Sequence, residues 1–349
     1  PVWGYAMDEN GDLNDGCQDA IGAPAVVTLP GPPLKVTDGT LTVNLRNDLP
    51  EPTSLVIPGL PMPISVGAGP VFVEPATGTT SNTRTTPTQR VRSFGAEAAP
   101  GGTESYTFDV NRPGTFLYHS GTHPQKQVYM GLYGAATQNV VEATASTPAE
   151  AYPGVEYFNE LVLFYSEIDP DLNSSIACLY DDDGTLPDGS VCGVDVEPYA
   201  TSINYHPRWF LVNGEPYADG MADITTGVDG VTPLAAGQKT LVRFLSTAGK
   251  THVPTLQGMH MSIQAEDGLP YTWQDGATVM GPAPREQYSV MLPPLKTRDA
   301  IIQAPANGTY AVYDGNGYMT NPSDPGDVTI GDTVGGMLRF LAFGDAGPN

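Results

Sequence analysis

Basic residues are scarce in this sequence: 15 Lys and Arg stand against 39 Asp and Glu, a net charge of −24 at neutral pH. A nucleic-acid backbone or an anionic bilayer surface would be repelled by that field, so nucleic acid is a poor partner and neither nucleic-acid binding nor membrane insertion is expected. Such a surface suits solubility, salty surroundings or divalent cations. Long apolar runs are also missing. No stretch of about 18 apolar residues occurs, so no transmembrane helix is expected. Long amphipathic helices are excluded by punctuation, because 40 Gly and 34 Pro are spread through the 349 residues and break helical runs. No P-loop, dinucleotide fingerprint or nucleophile elbow is present. The opening PVWGYAMDE lacks an initiator Met and a leader, and reads as a mature secreted chain; a trimmed chain would read the same.

Cysteine is rare too, with only Cys17, Cys178 and Cys192. The last two bracket CLYDDDGTLPDGSVC, a Gly/Asp-rich loop that suits closure by a disulfide in an oxidising compartment, extracellular or periplasmic. Cys17 is the odd one, either a thiol or a link to another chain.

What is present is an all-β grammar. LTVNL (Leu41–Leu45) alternates, as does SYTFDV, with Tyr106, Phe108 and Val110 on one face. Short strands then recur at intervals of roughly ten residues, the pattern of a β-sandwich. The Pro/Ala/Ser-rich TASTPAEAYPG (Thr144–Gly154) places a boundary between an N-terminal domain, 1–147, and a C-terminal domain, 148–349, that contains the disulfide-closed acidic loop. DENGDLNDGCQD sets Asp8, Asn10, Asp12, Asn14 and Asp19 in the oxygen-ligand rhythm of a twelve-residue calcium loop. Leu13 stands where such a loop has Gly, and Asp19 where it has Glu. Asp181 and Asp183 form a second carboxylate cluster and a second calcium candidate. Solvated turns are the competing reading for both loops.

Five segments in order carry a resemblance to a known family. They are LPEPTSLVIPG, NRPGTFLYHS with GLYGA, YHPRWFLVNG with LAAGQKTLVRFL, THVPTLQGMHMSIQAEDG, and GTYAVYDGNGYM. The chain resembles the multicopper oxidases over nearly its whole length, which implies two cupredoxin-like Greek-key β-sandwich domains in tandem. The family's chemistry needs a mononuclear copper on Cys and His and a trinuclear cluster on about eight His. This chain has five His in all. Relative to the family pattern, Val56 and Pro58 replace the first His pair and Gly121 the partner of His119. Thr255 and Gln257 replace the next two His, and Tyr313, Asp314 and Gly315 replace His-Cys-His. His119 and His252 remain at ligand positions, Met319 stands at another, and His123 lies outside the pattern. These four are the copper remnants. His119 and His123 are four residues apart across a strand end, where alternation separates neighbours, so packing is the plainer reading of both. In Met259-His260-Met261 the two Met share one face and read as core.

Two functions follow. The first is a secreted, non-catalytic protein with degenerate copper sites, acting in extracellular binding or in self-assembly as a homo-oligomer, ring or filament, with calcium as a candidate cofactor. The second is a residual copper-dependent oxidoreductase acting on a metal ion or small phenol. Fold alone does not separate them.

Overall fold

The computed structural model describes residues 1–9, 11–12, 17–18, 23–37, 39–64, 69–142, 148–181, 183–199, 201–276, 278–322 and 333–345. The chain forms two compact units. Unit 1 comprises Pro1–Arg112, Leu117–Ala136 and Asp169–His206; unit 2 comprises Pro113–Phe116, Thr137–Ile168 and Pro207–Asn349. Thr147, at the boundary expected from sequence, lies outside the described residues. The segment from Asp169 to His206, expected with the C-terminal domain, groups with unit 1.

In unit 1, β1 (Gly31–Val36) lies in a three-stranded sheet, and β2 (Thr40–Arg46) pairs antiparallel with β3 (Thr103–Asp109). The alternation read from sequence is realised here, since Tyr106, Phe108 and Val110 are each 1% exposed. β4 (Gly114–His119) leads into a short helix α1 (Pro124–Met130), and β5 (Tyr133–Gln138) then returns between β4 and β1.

The helix α2 (Pro170–Ala177) starts where Asp169 accepts the N–H groups of Asp171 and Leu172, with Pro170 in the first turn. These are the residue types that satisfy the free donors of a helix start. Its Leu172 and Ile176 bury against Met130 of α1, edged by Trp3, Tyr180 and Tyr205. That apolar contact explains why the segment belongs with unit 1. The Cys178–Cys192 disulfide forms as expected, closing the acidic loop.

Unit 2 is a sandwich. β6 (Asn159–Ile168) sits between β7 (Trp209–Val212), antiparallel, and β8 (Thr240–Ser246), parallel. The opposing sheet orders β9 (Pro254–Leu256), a strand ending at Asp314 and a strand ending at Phe343. β10 (Met261–Glu266) and β11 (Lys296–Ile302) complete the larger sheet beside β8, and β12 (Gly308–Asp314) and β13 (Leu338–Phe343) complete the smaller one. Leu163, Phe244, Ile263 and Ala300 from the larger sheet meet Leu256, Val312 and Leu341 from the smaller one in a single core. Met261 is fully buried, Met259 packs against the same core and His260 is exposed, as alternation requires.

Candidate functional site

β8 is followed by a loop that delivers His252 to the start of β9, and His252 and Leu292 exchange backbone hydrogen bonds there. The imidazole is fully buried. Its Nδ1 lies 2.8 Å from Asp314 Oδ2 and its Nε2 2.9 Å from Glu167 Oε1, both at hydrogen-bond distance. Glu167 lies near the end of β6 and Asp314 ends β12. Each carboxylate is anchored further. Glu167 Oε2 accepts the N–H of Gly249 at 2.9 Å, and Asp314 Oδ1 accepts those of Val253 at 2.7 Å and Asn316 at 3.2 Å. Around the ring stand Tyr165, Phe210 and Tyr318, with centroids 6.2, 6.4 and 5.3 Å away.

Two ionised carboxylates can both accept from one imidazole only if both ring nitrogens carry protons. Burial pushes the His252 pKa down, but the hydrogen bonds and negative charge of Asp314 and Glu167 outweigh it and raise it. The doubly protonated ring is the form that this pair of carboxylates, one from β6 and one from β12, favours. Met319 is half-buried in the turn after β12, and it is Tyr318 next to it whose ring meets His252.

At the other remnant, His119 closes β4 and exchanges backbone bonds with Val56. Its Nδ1 donates to the Ser120 carbonyl at 2.8 Å, and its Nε2 is buried with no hydrogen-bond partner among the described residues. Burial lowers its pKa against the opposing effect of the Ser120 bond. His123 is the N-cap of α1 at φ 39°, a left-handed conformation, and makes no side-chain cap bond. Its carbonyl accepts the N–H groups of Lys126 and Gln127. Its pKa is also lowered, by burial first and then by Lys126 and Arg92.

The space that a further ligand would need near His119 is filled. A Cβ on Gly121 would meet Val56 Cγ1 at 2.7 Å and Ser54 Oγ at 3.0 Å. Neighbouring polar positions satisfy one another. Thr122 Oγ1 bonds to Ser54, Ser93 and Glu97, each at 3.1 Å. Gln127 spans Thr53, Glu51 and Ser120, and Glu51 pairs with Lys126 and the Tyr180 hydroxyl. At Gly315 a Cβ would lie 2.9 Å from Thr255 Oγ1. Among the described residues no group of three or more His, Cys, Asp or Glu is arranged to hold a metal. The donors present do not fit the copper set that the family resemblance implies. One imidazole has both nitrogens committed to carboxylates, and the other has a valine and a glycine where its companions would be.

Sequence reasoning missed Glu167, Glu51 and Arg243. Arg243 is fully buried on the second face of the larger sheet, with Nε on Glu160 at 2.8 Å and its two Nη on Thr115 and Asn139 at 2.6 Å. Asp299 joins through Thr115 and the Tyr152 hydroxyl. The single local signal was an arginine inside the otherwise apolar strand LVRFL.

Of the calcium candidates, Asn10, Asn14 and Asp19 lie outside the described residues. Asp8 accepts the Gly11 N–H at 3.1 Å and Asp12 is exposed. Asp181 accepts the Asp183 N–H at 3.1 Å, an ordinary turn bond. Cys17 is half-buried, and its carbonyl accepts the Ala25 N–H. No described helix is long and apolar enough to cross a membrane.

No protein-family profile matches the chain. A curated relative, copper resistance protein A of Pseudomonas syringae pv. tomato, is 25% identical over 334 residues, covering 88% of this chain and 49% of the relative. The chain therefore spans about half the length of the curated relative it matches. Among solved structures, a blue copper oxidase from Nitrosomonas europaea superposes with a TM-score of 0.56 at 16% identity, over 90% of this chain and 77% of that one. A laccase from Botrytis aclada gives 0.53 at 17%, over 93% and 49%. A multi-copper oxidase from Pseudomonas thermotolerans gives 0.52 at 17%, over 99% and 62%. These likenesses establish the cupredoxin-like fold, and over most of its length the chain is similar to multicopper oxidases of known structure and to copper resistance protein A.

Proposed function

We propose that this chain has exchanged copper catalysis for a structural role outside the cell, extracellular or periplasmic, acting through binding or self-association. The observation that supports this reading is the His252 clamp. Asp314, at the position where the family carries its copper thiolate, instead faces the His252 imidazole from one side, with Glu167 on the other. A site that has lost a ligand by drift would leave a cavity or an unpaired group. Here both ring nitrogens of His252 face carboxylates, which leaves neither of them open to a metal. At His119 the Nε2 keeps no partner among the described residues, and the support there is the packing of Val56 against Gly121, which leaves no room for a second ligand. The acidic loops around Asp8 and Asp181 and the Cys17 thiol are where calcium or oxidation would act on an assembly.

Protein purified from its native source tests this directly, with metal content, oxygen uptake on phenols and ferrous or cuprous ions, and particle size measured on one preparation. The reading expects no stoichiometric copper, no turnover and particles larger than one chain. Copper at one or more per chain with oxygen-dependent turnover would overturn it in favour of a residual oxidoreductase. Dissociation by chelator would assign calcium a role, and dissociation by reductant would assign one to Cys17.

A further inference from the structure

The ladder of β2 and β3 has unlike surroundings on its two edges. Its register sets Leu41 opposite Phe108 and Val43 opposite Tyr106. Val110 donates to Gly39 and Asn47 donates to Gly102, so odd-numbered residues of β2 bond across the ladder. The N–H and C=O of Thr42 and Asn44 therefore point away from β3, and no described backbone group pairs with them. Beside that edge lies a cavity of about 840 Å³, lined without a break by residues 41–49 and faced by Val2, Met7, Val27 and Leu34. Among the described lining residues only Asp8, Arg46 and Asp48 are charged. Val27 is 58% exposed, a cost in water that an occupant would remove.

On the opposite edge of the same ladder, Thr107 accepts the Ile64 N–H at 2.9 Å. Met62 and Ile64 there are 53% and 72% exposed. They lie in an uncharged run, Pro52 to Ile64, of a chain whose net charge of −24 opposes most contacts between copies. An open strand edge is a template for another extended segment, whose backbone supplies hydrogen bonds and whose alternate side chains fill pockets.

We propose that the slot beside β2 receives the Leu60–Ile64 segment of a second copy. Backbone groups of that segment bond to Thr42 and Asn44, and Met62 and Ile64 seat against Leu41, Val43 and Val27. Carbonyls of Pro61 and Pro63 serve as acceptors although those residues offer no N–H. Slot and segment lie on opposite edges of one ladder, so the contact is head-to-tail and propagates to a ring or a filament. This inference rests on the self-association reading above.

The test uses the full chain in sedimentation velocity with two variants. Thr42→Pro removes an outward N–H and leaves the bonds to β3 in place. Ile64→Asp places a charge on the exposed segment. The wild type is expected to associate, and each variant alone to remain monomeric with an unchanged melting curve. Mixed together, the two variants form a one-to-one dimer and stop, because the mixture retains one working slot and one working segment. A monomeric wild type would overturn the self-association reading itself. A wild type that associates while both variants associate equally well, or variants that fail to pair, would overturn the slot alone. Uptake of a small apolar dye by a slot whose variants leave assembly unchanged also counts against it.

Discussion

Replacing Asp314 by Asn keeps the shape of the side chain and removes one of the two charges on His252. The Asn oxygen can still accept from Val253, but its amide then faces the Nδ1 proton, leaving Glu167 as the sole counter-charge. All three groups are fully buried. Removing one partner from a buried ion pair costs about 3–5 kcal/mol, because the charge left behind has no water to turn to. For a unit of this size each kcal/mol lowers the melting temperature by about 2–4 °C, so a drop of about 10 °C is expected. Urea unfolding followed by circular dichroism measures the free energy, and a cycle with His252→Gln isolates the coupling between the two residues. A loss below about 1 kcal/mol, the worth of an ordinary neutral hydrogen bond, would refute the imidazolium assignment.

Four further outcomes are expected. Because the folded pKa of His252 is raised, its contribution is full below about pH 6.5 and fades as pH rises through the raised value. The lowered pKa values of His119 and His123 act in the opposite sense, reducing stability as pH falls below about 6.5. Melting curves against pH should lose their alkaline decline in His252→Gln and part of their acid decline in His119→Gln. Gly121→His, which restores a family ligand, should cost about 1–3 kcal/mol in urea by overpacking Val56, without producing a copper(II) resonance signal. Arg243→Ala should shift the urea midpoint by an amount equivalent to about 3–5 kcal/mol, since Glu160 and Asp299 would lose their buried counter-charge. Reducing the Cys178–Cys192 bond, with its separation of 14 residues, should lower the stability of unit 1 by about 3 kcal/mol, read as the difference between denaturation curves with and without reductant.

The strands of both units could be read from the chain because alternation reports burial directly, as Tyr106, Phe108 and Met261 show. That Asp314, Gly121 and Val56 are not copper-ligand types, in motifs that resemble those of the multicopper oxidases, was equally legible. The surroundings of those positions were not. Glu167 belongs to β6 and meets His252 only through the fold, and no local pattern joins the two. The placement of the disulfide loop with unit 1 depends on Leu172 and Ile176 finding Met130, again a contact distant in sequence. The spacing of His119 and His123 does not force them together, and one ends a strand while the other caps a helix in a left-handed conformation.

The clamp itself can be observed with ¹⁵N-labelled imidazole resonances at pH 6, recorded before and after addition of excess copper(II). The account predicts that His252 carries protons on both ring nitrogens and that its signals persist unchanged in the presence of the metal. Loss of a ring proton or paramagnetic broadening of His252 on adding copper would contradict it.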